Sequence, residues 1–146
     1  CLDEAYIEFA DDGTAPAIDV TNPNVIRFRT FSKAHGMAGV RIGYIIAERA
    51  LAESFDKIRN HFGVNRIAQA GALAALADTG YLLSIKQKVA KARDRLSEIA
   101  TDCGLLPLPS QTNFVAIDCG QDGDFARRVG ERHGIDDGEL RLHHFR

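Results

Sequence analysis

The hydrophobic and polar positions of the first half of the chain follow the two-residue period of strands in some segments and helical spacing in others. Residues 25–29 alternate apolar and basic side chains, which predicts a strand. Residues 42–47 form a more continuous apolar run, which predicts a second and more buried strand. Residues 48–59 and the alanine-rich residues 67–77 have helical spacing. This mixture of strands and helices predicts an α/β domain.

A longer helical pattern dominates the second half. Its apolar positions recur at alternating steps of three and four: Leu82, Ile85, Val89, Ala92, Leu96, Ile99 and Cys103. This spacing predicts a helix of about 20 residues and about 30 Å, long enough to bridge two lobes. Gly104 is predicted to end the helix, and Pro107 and Pro109 to bracket a turn. A strand over residues 113–118 and a helix over residues 121–134 are predicted to follow.

Composition and charge exclude some classes of protein. The 146 residues carry a net charge of −2 with both signs interspersed, and 45% hydrophobic residues suffice for a core. This balance does not favour a nucleic-acid partner, and no apolar run approaches the roughly 18 residues of a membrane span. Cys1, Cys103 and Cys119 lack metal-ligand spacing, which predicts free thiols. With no recognisable signal peptide, we expect a cytoplasmic protein without a metal site.

The loop after the first predicted strand carries the strongest chemical signal. Lys33 directly follows Phe31 and Ser32, and the hydroxyl residues Thr30 and Ser32 flank Phe31. Arg41 lies eight residues after Lys33, in a segment that contains several glycines. A lysine amine can form a Schiff base with the aldehyde of pyridoxal 5'-phosphate, while hydroxyls and a guanidinium suit its phosphate dianion. Lys33 is therefore the predicted Schiff-base lysine. Thr30, Ser32 and Arg41 are the predicted phosphate ligands.

A second group of candidate residues lies near the start of the chain. Asp3 follows an apolar residue at a predicted strand end, and Tyr6 comes three residues later. The pyridine nitrogen of this cofactor must keep its proton, and a nearby carboxylate favours the protonated form. Asp3 is the candidate for that role. The phenol of Tyr6 is the candidate donor to the 3-oxygen of the cofactor.

Residues 3–9 (DEAYIEF) and 29–44 (RTFSKAHGMAGVRIGY) together resemble the class I/II, or fold type I, aminotransferases. The histidinol-phosphate aminotransferase branch is the most similar, and the similarity extends from Cys1 to Asp118. The resemblance implies a mixed sheet with flanking helices in a large domain, joined to a small α+β domain. The cofactor-binding residues that it implies are Asp3, Tyr6, Thr30, Ser32, Lys33 and Arg41, and Lys33 is also the implied catalytic residue.

The resemblance also implies a division of the chain. Residues 1–80 would form the C-terminal part of the large cofactor-binding domain, residues 81–103 the bridging helix, and residues 104–146 a partial small domain. Family members are considerably longer and carry a glycine–serine turn over the phosphate and an Asn-Pro-rich loop, neither of which we find here. The tail, residues 135–146, does not match the family's arginine-bearing strand. We therefore expect a partial chain that is inactive by itself.

The activity that the resemblance implies is transfer of an amino group between an amino acid or amino phosphate and a 2-oxo acid, in amino-acid biosynthesis, by a cytoplasmic homodimer. Once freed by substrate, the Lys33 amine would act as general base. A related decarboxylase is an alternative, because the cofactor-binding groups do not determine which bond of the substrate breaks. A non-catalytic remnant of such an enzyme also stays open.

Other chemical candidates are weaker. Asp3 and Glu4 would also suit the carboxylate pair of a nucleotide hydrolase, but this chain lacks the matching phosphate-binding loop. Asn65 lies where the family passes the active-site mouth, and we assign it no role. His143 and His144 are expected to be solvated. The basic residues of the long helix are expected to form its solvent-exposed face: Lys86, Lys88, Lys91, Arg93 and Arg95.

Overall fold

A computed structural model describes residues 1–119, 131, 132 and 134. The strands are β1 (Leu2–Asp3), β2 (Ile26–Thr30), β3 (Gly43–Ala47), β4 (Leu106–Pro107) and β5 (Ile117–Asp118). The α-helices are α1 (Arg49–Ser54), α2 (Arg66–Ala77) and α3 (Thr79–Asp102), and short 3-10 helices cover Ile7–Phe9, Ala38–Val40 and Phe55–Lys57. One compact unit contains Cys1–Lys91 and Gln111–Asn113, and a second begins at Ala92 and contains the remaining described residues.

The sheet of the first unit has the order β1–β2–β3. β1 pairs with β2 in parallel, with Asp3 opposite Phe28. β3 pairs with β2 in antiparallel orientation, with Thr30 opposite Gly43. Both strands predicted in this region are found, within one residue of their predicted bounds. The mixed sheet, followed by helices in the same unit, confirms the predicted α/β class.

Helix α1 is shorter than the helix predicted over residues 48–59. It covers Arg49–Ser54 and passes into the 3-10 turn at Phe55–Lys57. The Ser54 hydroxyl donates to the carbonyl oxygen of Leu51 at 2.6 Å, and a hydroxyl that bonds back to the preceding turn weakens an α-helix at that point. The α-helical pattern therefore ends there.

Helices α2 and α3 follow their predictions closely. α2 begins after Asn65, whose side chain accepts a hydrogen bond from the Ala68 amide at 2.8 Å. An asparagine at this position satisfies one of the free amides of the first helical turn, so Asn65 has a structural role that the sequence analysis did not assign. α2 and α3 are separated only by Asp78, whose carboxylate accepts from the Tyr81 amide at 2.9 Å.

Helix α3 has 24 residues and ends at Asp102, two residues before Gly104, which was predicted to stop it. Gly104 has φ +75°, a left-handed conformation that glycine adopts without strain. Its amide donates to Thr101 and the Leu105 amide donates to Ala100, both at 2.9 Å. This is the double hydrogen bond of a Schellman motif, which satisfies carbonyls of the last turn.

The basic side chains of α3 are less uniformly exposed than predicted. Lys88, Lys91 and Arg95 are exposed, whereas Lys86 and Arg93 are half-buried. The Lys86 ammonium donates to the carbonyl oxygen of Ala10 at 3.4 Å, a contact within the first unit that accounts for its partial burial.

The second unit contains a small antiparallel pair of strands. Pro107 of β4 lies opposite Ile117 of β5. Two predictions are corrected here: only the last two residues of the strand predicted over 113–118 are in β5, and Pro107 lies in a strand instead of the turn. The Ser110 hydroxyl donates to the Phe114 carbonyl oxygen at 2.5 Å, so the chain turns later than the prolines suggested. Apart from residues 131, 132 and 134, the helix and tail predicted beyond residue 120 lie outside the described residues.

The buried hydrophobic residues are few and mostly small: Phe9, Ala10, Phe31, Ala34, Ala68, Ala72, Ile99 and Ala100. In contrast, Phe62 is 94% exposed and Ile67 84% exposed. No helix within the described part of the chain is long and apolar enough to cross a membrane.

Candidate functional site

The loop that carries Lys33 is held at its base by Phe31, which is 2% exposed. The Phe31 amide donates to Ile42 at 3.2 Å, and its carbonyl oxygen accepts from the Met37 amide at 2.9 Å. Between these anchors the Gly36 amide donates to the carbonyl oxygen of Lys33 at 3.0 Å. The buried Phe31 thus fixes both ends of the turn, while the Lys33 side chain is exposed.

The ring of Phe31 is itself packed between two others. Its centroid lies 5.0 Å from the ring of His35 and 5.5 Å from the ring of Tyr44 on β3. These tilted contacts are typical of stabilising aromatic pairs. His35 therefore packs within the loop, and its buried Nδ1 has no hydrogen-bond partner among the described residues.

The three predicted phosphate ligands lie next to one another. The Arg41 guanidinium donates from Nη1 to the Ser32 hydroxyl at 3.4 Å and to the Ala38 carbonyl oxygen at 2.8 Å. The Ser32 amide in turn donates to the Thr30 hydroxyl at 3.1 Å. Arg41 has φ 56°, a left-handed conformation that is uncommon for a residue with a side chain. Such strain is often found at functional sites, and here it accompanies an exposed guanidinium beside the Ser32 hydroxyl.

Tyr6 and Lys33 also meet. The Lys33 ammonium lies 5.2 Å from the centroid of the Tyr6 ring, within the range of a cation–π contact. Asp3 ends β1, and its carboxylate accepts a hydrogen bond from the Ala5 amide at 3.0 Å. Because β1 and β2 are parallel, the residues that follow both strands emerge at the same edge of the sheet. Asp3 and the Lys33 loop therefore share that edge.

Helix packing supports the loop from one side. A Cβ atom added at Gly71 of α2 would lie 3.0 Å from the Met37 Cε atom. One added at Gly36, which has φ +67°, would lie 3.4 Å from the Tyr81 hydroxyl in the first turn of α3. Small residues at these positions let the loop approach both helices closely.

The sequence analysis missed a buried charged network near the site. Glu4 follows Asp3 and is 5% exposed. Its carboxylate accepts hydrogen bonds from Arg27 Nη1 at 2.5 Å and from Arg29 Nε at 2.8 Å. A signal was present, because two arginines two residues apart on a strand lie on the same face and need a nearby anion.

The environment of Arg29 illustrates the strength of this network. Burial works against its charge, but hydrogen bonds to the side chains of Glu4 and Tyr44 outweigh that effect and raise the pKa of Arg29 above its ordinary value. The guanidinium therefore stays charged despite its half-buried position.

No metal site is apparent in the described residues, since no three His, Cys, Asp or Glu side chains among them cluster suitably. No disulfide joins Cys1, Cys103 and Cys119, all of which lie in the described part of the chain. His61 is exposed, and His143 and His144 lie outside the described residues.

Comparison with known proteins gives a consistent result. Residues 1–135 match the family model described as "Aminotransferase class I and II". The histidinol-phosphate aminotransferase of Staphylococcus saprophyticus is 43% identical over 119 residues, which are 80% of this chain and 33% of that protein. The aromatic amino acid aminotransferase of Mycobacterium avium is 38% identical over 122 residues, 82% of this chain and 34% of that protein.

A solved structure extends the comparison to the fold. The crystal structure of histidinol-phosphate aminotransferase from Sinorhizobium meliloti, in complex with pyridoxal-5'-phosphate, has a TM-score of 0.82 and 54% sequence identity to this chain. The match covers 92% of this chain and 38% of that one. This chain thus spans about a third of the length of the curated relatives that it matches.

Proposed function

The chain belongs to the class I and II aminotransferase family, and we propose that the protein is a pyridoxal 5'-phosphate-dependent aminotransferase. It would exchange an amino group between an amino acid or amino phosphate and a 2-oxo acid. The observation that carries this proposal is the convergence of predicted groups at one sheet edge: Lys33 lies against Tyr6, and Arg41 lies against Ser32.

The residues present fit the cofactor. A phosphate dianion needs several donors close together: the Ser32 hydroxyl lies beside the guanidinium of Arg41, and the Thr30 hydroxyl accepts a hydrogen bond from the Ser32 amide. A guanidinium offers a planar pair of donors that stays charged at all relevant pH values, which suits phosphate better than an ammonium does. When bound, the cofactor supplies an aldehyde carbon that exchanges amines and a protonated ring that withdraws electrons.

The remaining residues would act on protons. The Asp3 carboxylate would accept a hydrogen bond from the pyridine N–H, and a negative charge there favours retention of that proton. The Tyr6 phenol would donate to the 3-oxygen. The exposed Lys33 amine would remove a proton from a substrate carbon and return it.

Reductive trapping tests the role of Lys33. We expect borohydride treatment of the protein with bound pyridoxal 5'-phosphate, followed by peptide mapping, to find the pyridoxyl group on Lys33. The exposed Lys57 is an internal control, since no predicted cofactor ligand lies near it in the sequence. Label on Lys57 or Lys86 in place of Lys33 would refute the assignment.

For the amino donor we propose histidinol phosphate, because the similar proteins with 43% and 54% identity are histidinol-phosphate aminotransferases. Aromatic amino acids are the second candidate, since an aromatic amino acid aminotransferase is 38% identical. Incubation with each donor and 2-oxoglutarate, with glutamate measured, distinguishes the two. Lys33→Arg should abolish glutamate formation with the true donor, and Lys57→Arg should not. If no donor yields glutamate although the cofactor binds at Lys33, the remnant interpretation is favoured.

We also propose a cytoplasmic homodimer with the division inferred from the sequence, residues 1–80, 81–103 and 104–146. The absence of a disulfide among Cys1, Cys103 and Cys119 is compatible with a reducing compartment. The exposed Phe62 and Ile67 supply apolar surface for packing against further protein. Size-exclusion chromatography with light scattering would measure the oligomeric state.

A further inference from the structure

The Glu4 network is unusual because it buries charge. Glu4 and Arg27 are 5% and 4% exposed, and a buried charge is costly unless it is paired and hydrogen-bonded. Both oxygens of the Glu4 carboxylate are used, one by Arg27 and the other by Arg29. Arg27 also donates from Nη2 to the carbonyl oxygens of Pro16 and Ala17, at 2.7 and 2.8 Å. Each charged side chain of the network therefore has a hydrogen-bond partner of its own.

This network joins the two strands that carry the candidate site. Glu4 directly follows Asp3, and Arg29 is followed by Thr30 and the Lys33 loop. β1 itself has only two residues, and its pairing with β2 is continued by one further bond, from the Glu4 amide to the Phe28 carbonyl oxygen at 2.9 Å. So short a ladder provides few bonds to hold a strand end. The side-chain bonds of Glu4 supply two more.

We infer that Glu4 is a positioning residue, which fixes the Asp3 carboxylate relative to the Lys33 loop by clamping the end of β1 onto β2. The inference rests on the proposed function, because it concerns how Asp3 reaches the cofactor. The Glu4 carboxylate accepts hydrogen bonds from Arg27 and Arg29, one at each oxygen, so it acts through the position of Asp3 and not on the reacting atoms.

The Ala5 amide offers a reporter that needs no cofactor. It donates to Asp3 Oδ1 at 3.0 Å, so its hydrogen exchange depends on where the Asp3 carboxylate lies. In the cofactor-free gene product that contains this chain, Glu4→Gln should increase the exchange rate of the Ala5 amide by about tenfold. The glutamine side chain puts an NH2 donor where one carboxylate oxygen accepted from an arginine, so one of the two bonds is lost. Leu51→Ala is the control, because it removes half-buried apolar volume from α1 without touching the network.

A spectroscopic measurement then connects the clamp to the cofactor. With pyridoxal 5'-phosphate bound and no substrate present, the pH midpoint of the cofactor's absorbance change depends on the charge held near its ring. Glu4→Gln should shift this midpoint by about half a unit or more, because the Asp3 carboxylate has moved. Leu51→Ala, at a similar loss of thermal stability, should leave it unchanged.

The outcomes separate this inference from the proposed function. If the unmodified protein does not bind the cofactor at Lys33, the proposed function fails. If it does, and Glu4→Gln changes neither the exchange nor the midpoint, or changes them no more than Leu51→Ala, the positioning role is refuted. If Glu4→Gln does not fold, Arg29→Gln decides by the same criteria, since it removes one bond to Glu4 at a residue that is only half-buried.

Discussion

Gly43 is the position where one added methyl group should disturb both the sheet and the site. It lies opposite Thr30 in the β2–β3 pair. A Cβ atom there would lie 2.7 Å from the carbonyl oxygen of Arg29, which is backbone and cannot swing aside. Ordinary contacts between carbon and a carbonyl oxygen begin at about 3.3 Å, so the strands must separate locally by about 0.6 Å. Overpacking of this kind costs about 1–3 kcal/mol.

We expect Gly43→Ala to lower the free energy of unfolding by about that amount and to weaken binding of pyridoxal 5'-phosphate. The cofactor effect follows because Arg29 immediately precedes Thr30 and binds Glu4. Urea unfolding followed by circular dichroism measures the first effect, and cofactor titration the second. The gene product that contains this chain should be used for both.

Gly39→Ala is the matched control. Gly39 is in the same segment, yet a Cβ atom there meets nothing within 4 Å and its backbone is not left-handed. This substitution should leave the unfolding midpoint unchanged or slightly raised, because alanine reduces the freedom of the unfolded chain. Equal midpoints for Gly43→Ala and the unmodified protein, or equal losses for both variants, would refute the close-approach argument.

Three further predictions concern the cofactor site and two helix caps. Asp3→Asn should retain the cofactor but lower turnover by several powers of ten, each worth about 1.4 kcal/mol of barrier; a near-normal kcat would contradict the role of Asp3. Asn65→Ala should destabilise α2 by about 1 kcal/mol in urea unfolding, and no change would exclude the cap. Hydrogen bonds from the Ala50 and Leu51 amides hold the pKa of Glu48 below its ordinary value of 4.5. Charged Glu48 therefore stabilises the fold above that pH, and this contribution is lost as the pH falls through the lowered pKa. The melting temperature of Glu48→Gln should fall less on acidification than that of the unmodified protein, as thermal unfolding at a series of pH values would measure.

The sequence by itself determined the elements that depend on nearby residues. The long apolar repeat specified α3, and Gly104 specified its end, because helical spacing and a left-handed cap are properties of residues a few positions apart. The same holds for β2 and β3, whose predicted bounds were correct within one residue. The Lys33 loop was also recognisable, since its chemical groups lie within one short segment.

Local patterns were less reliable where the end of an element depends on a particular hydrogen-bond partner. The end of α1 depends on a single hydroxyl at Ser54, which bonds to the preceding turn. The extent of β5 depends on where the hydrogen bonds of β4 are available. In both cases the sequence pattern is compatible with a longer or a shorter element, and the hydrogen-bond partner that is available determines where the element ends.

Only the tertiary structure decided the contacts between residues distant in the sequence. Glu4 lies 25 positions from Arg29, and neither residue alone reveals that the other neutralises it. The same is true of Gly71 beneath Met37 and of Gly43 against the Arg29 carbonyl oxygen. The physical reason is that burial of charge and close packing depend on which surfaces meet, and chain folding brings those surfaces together after the local elements are specified.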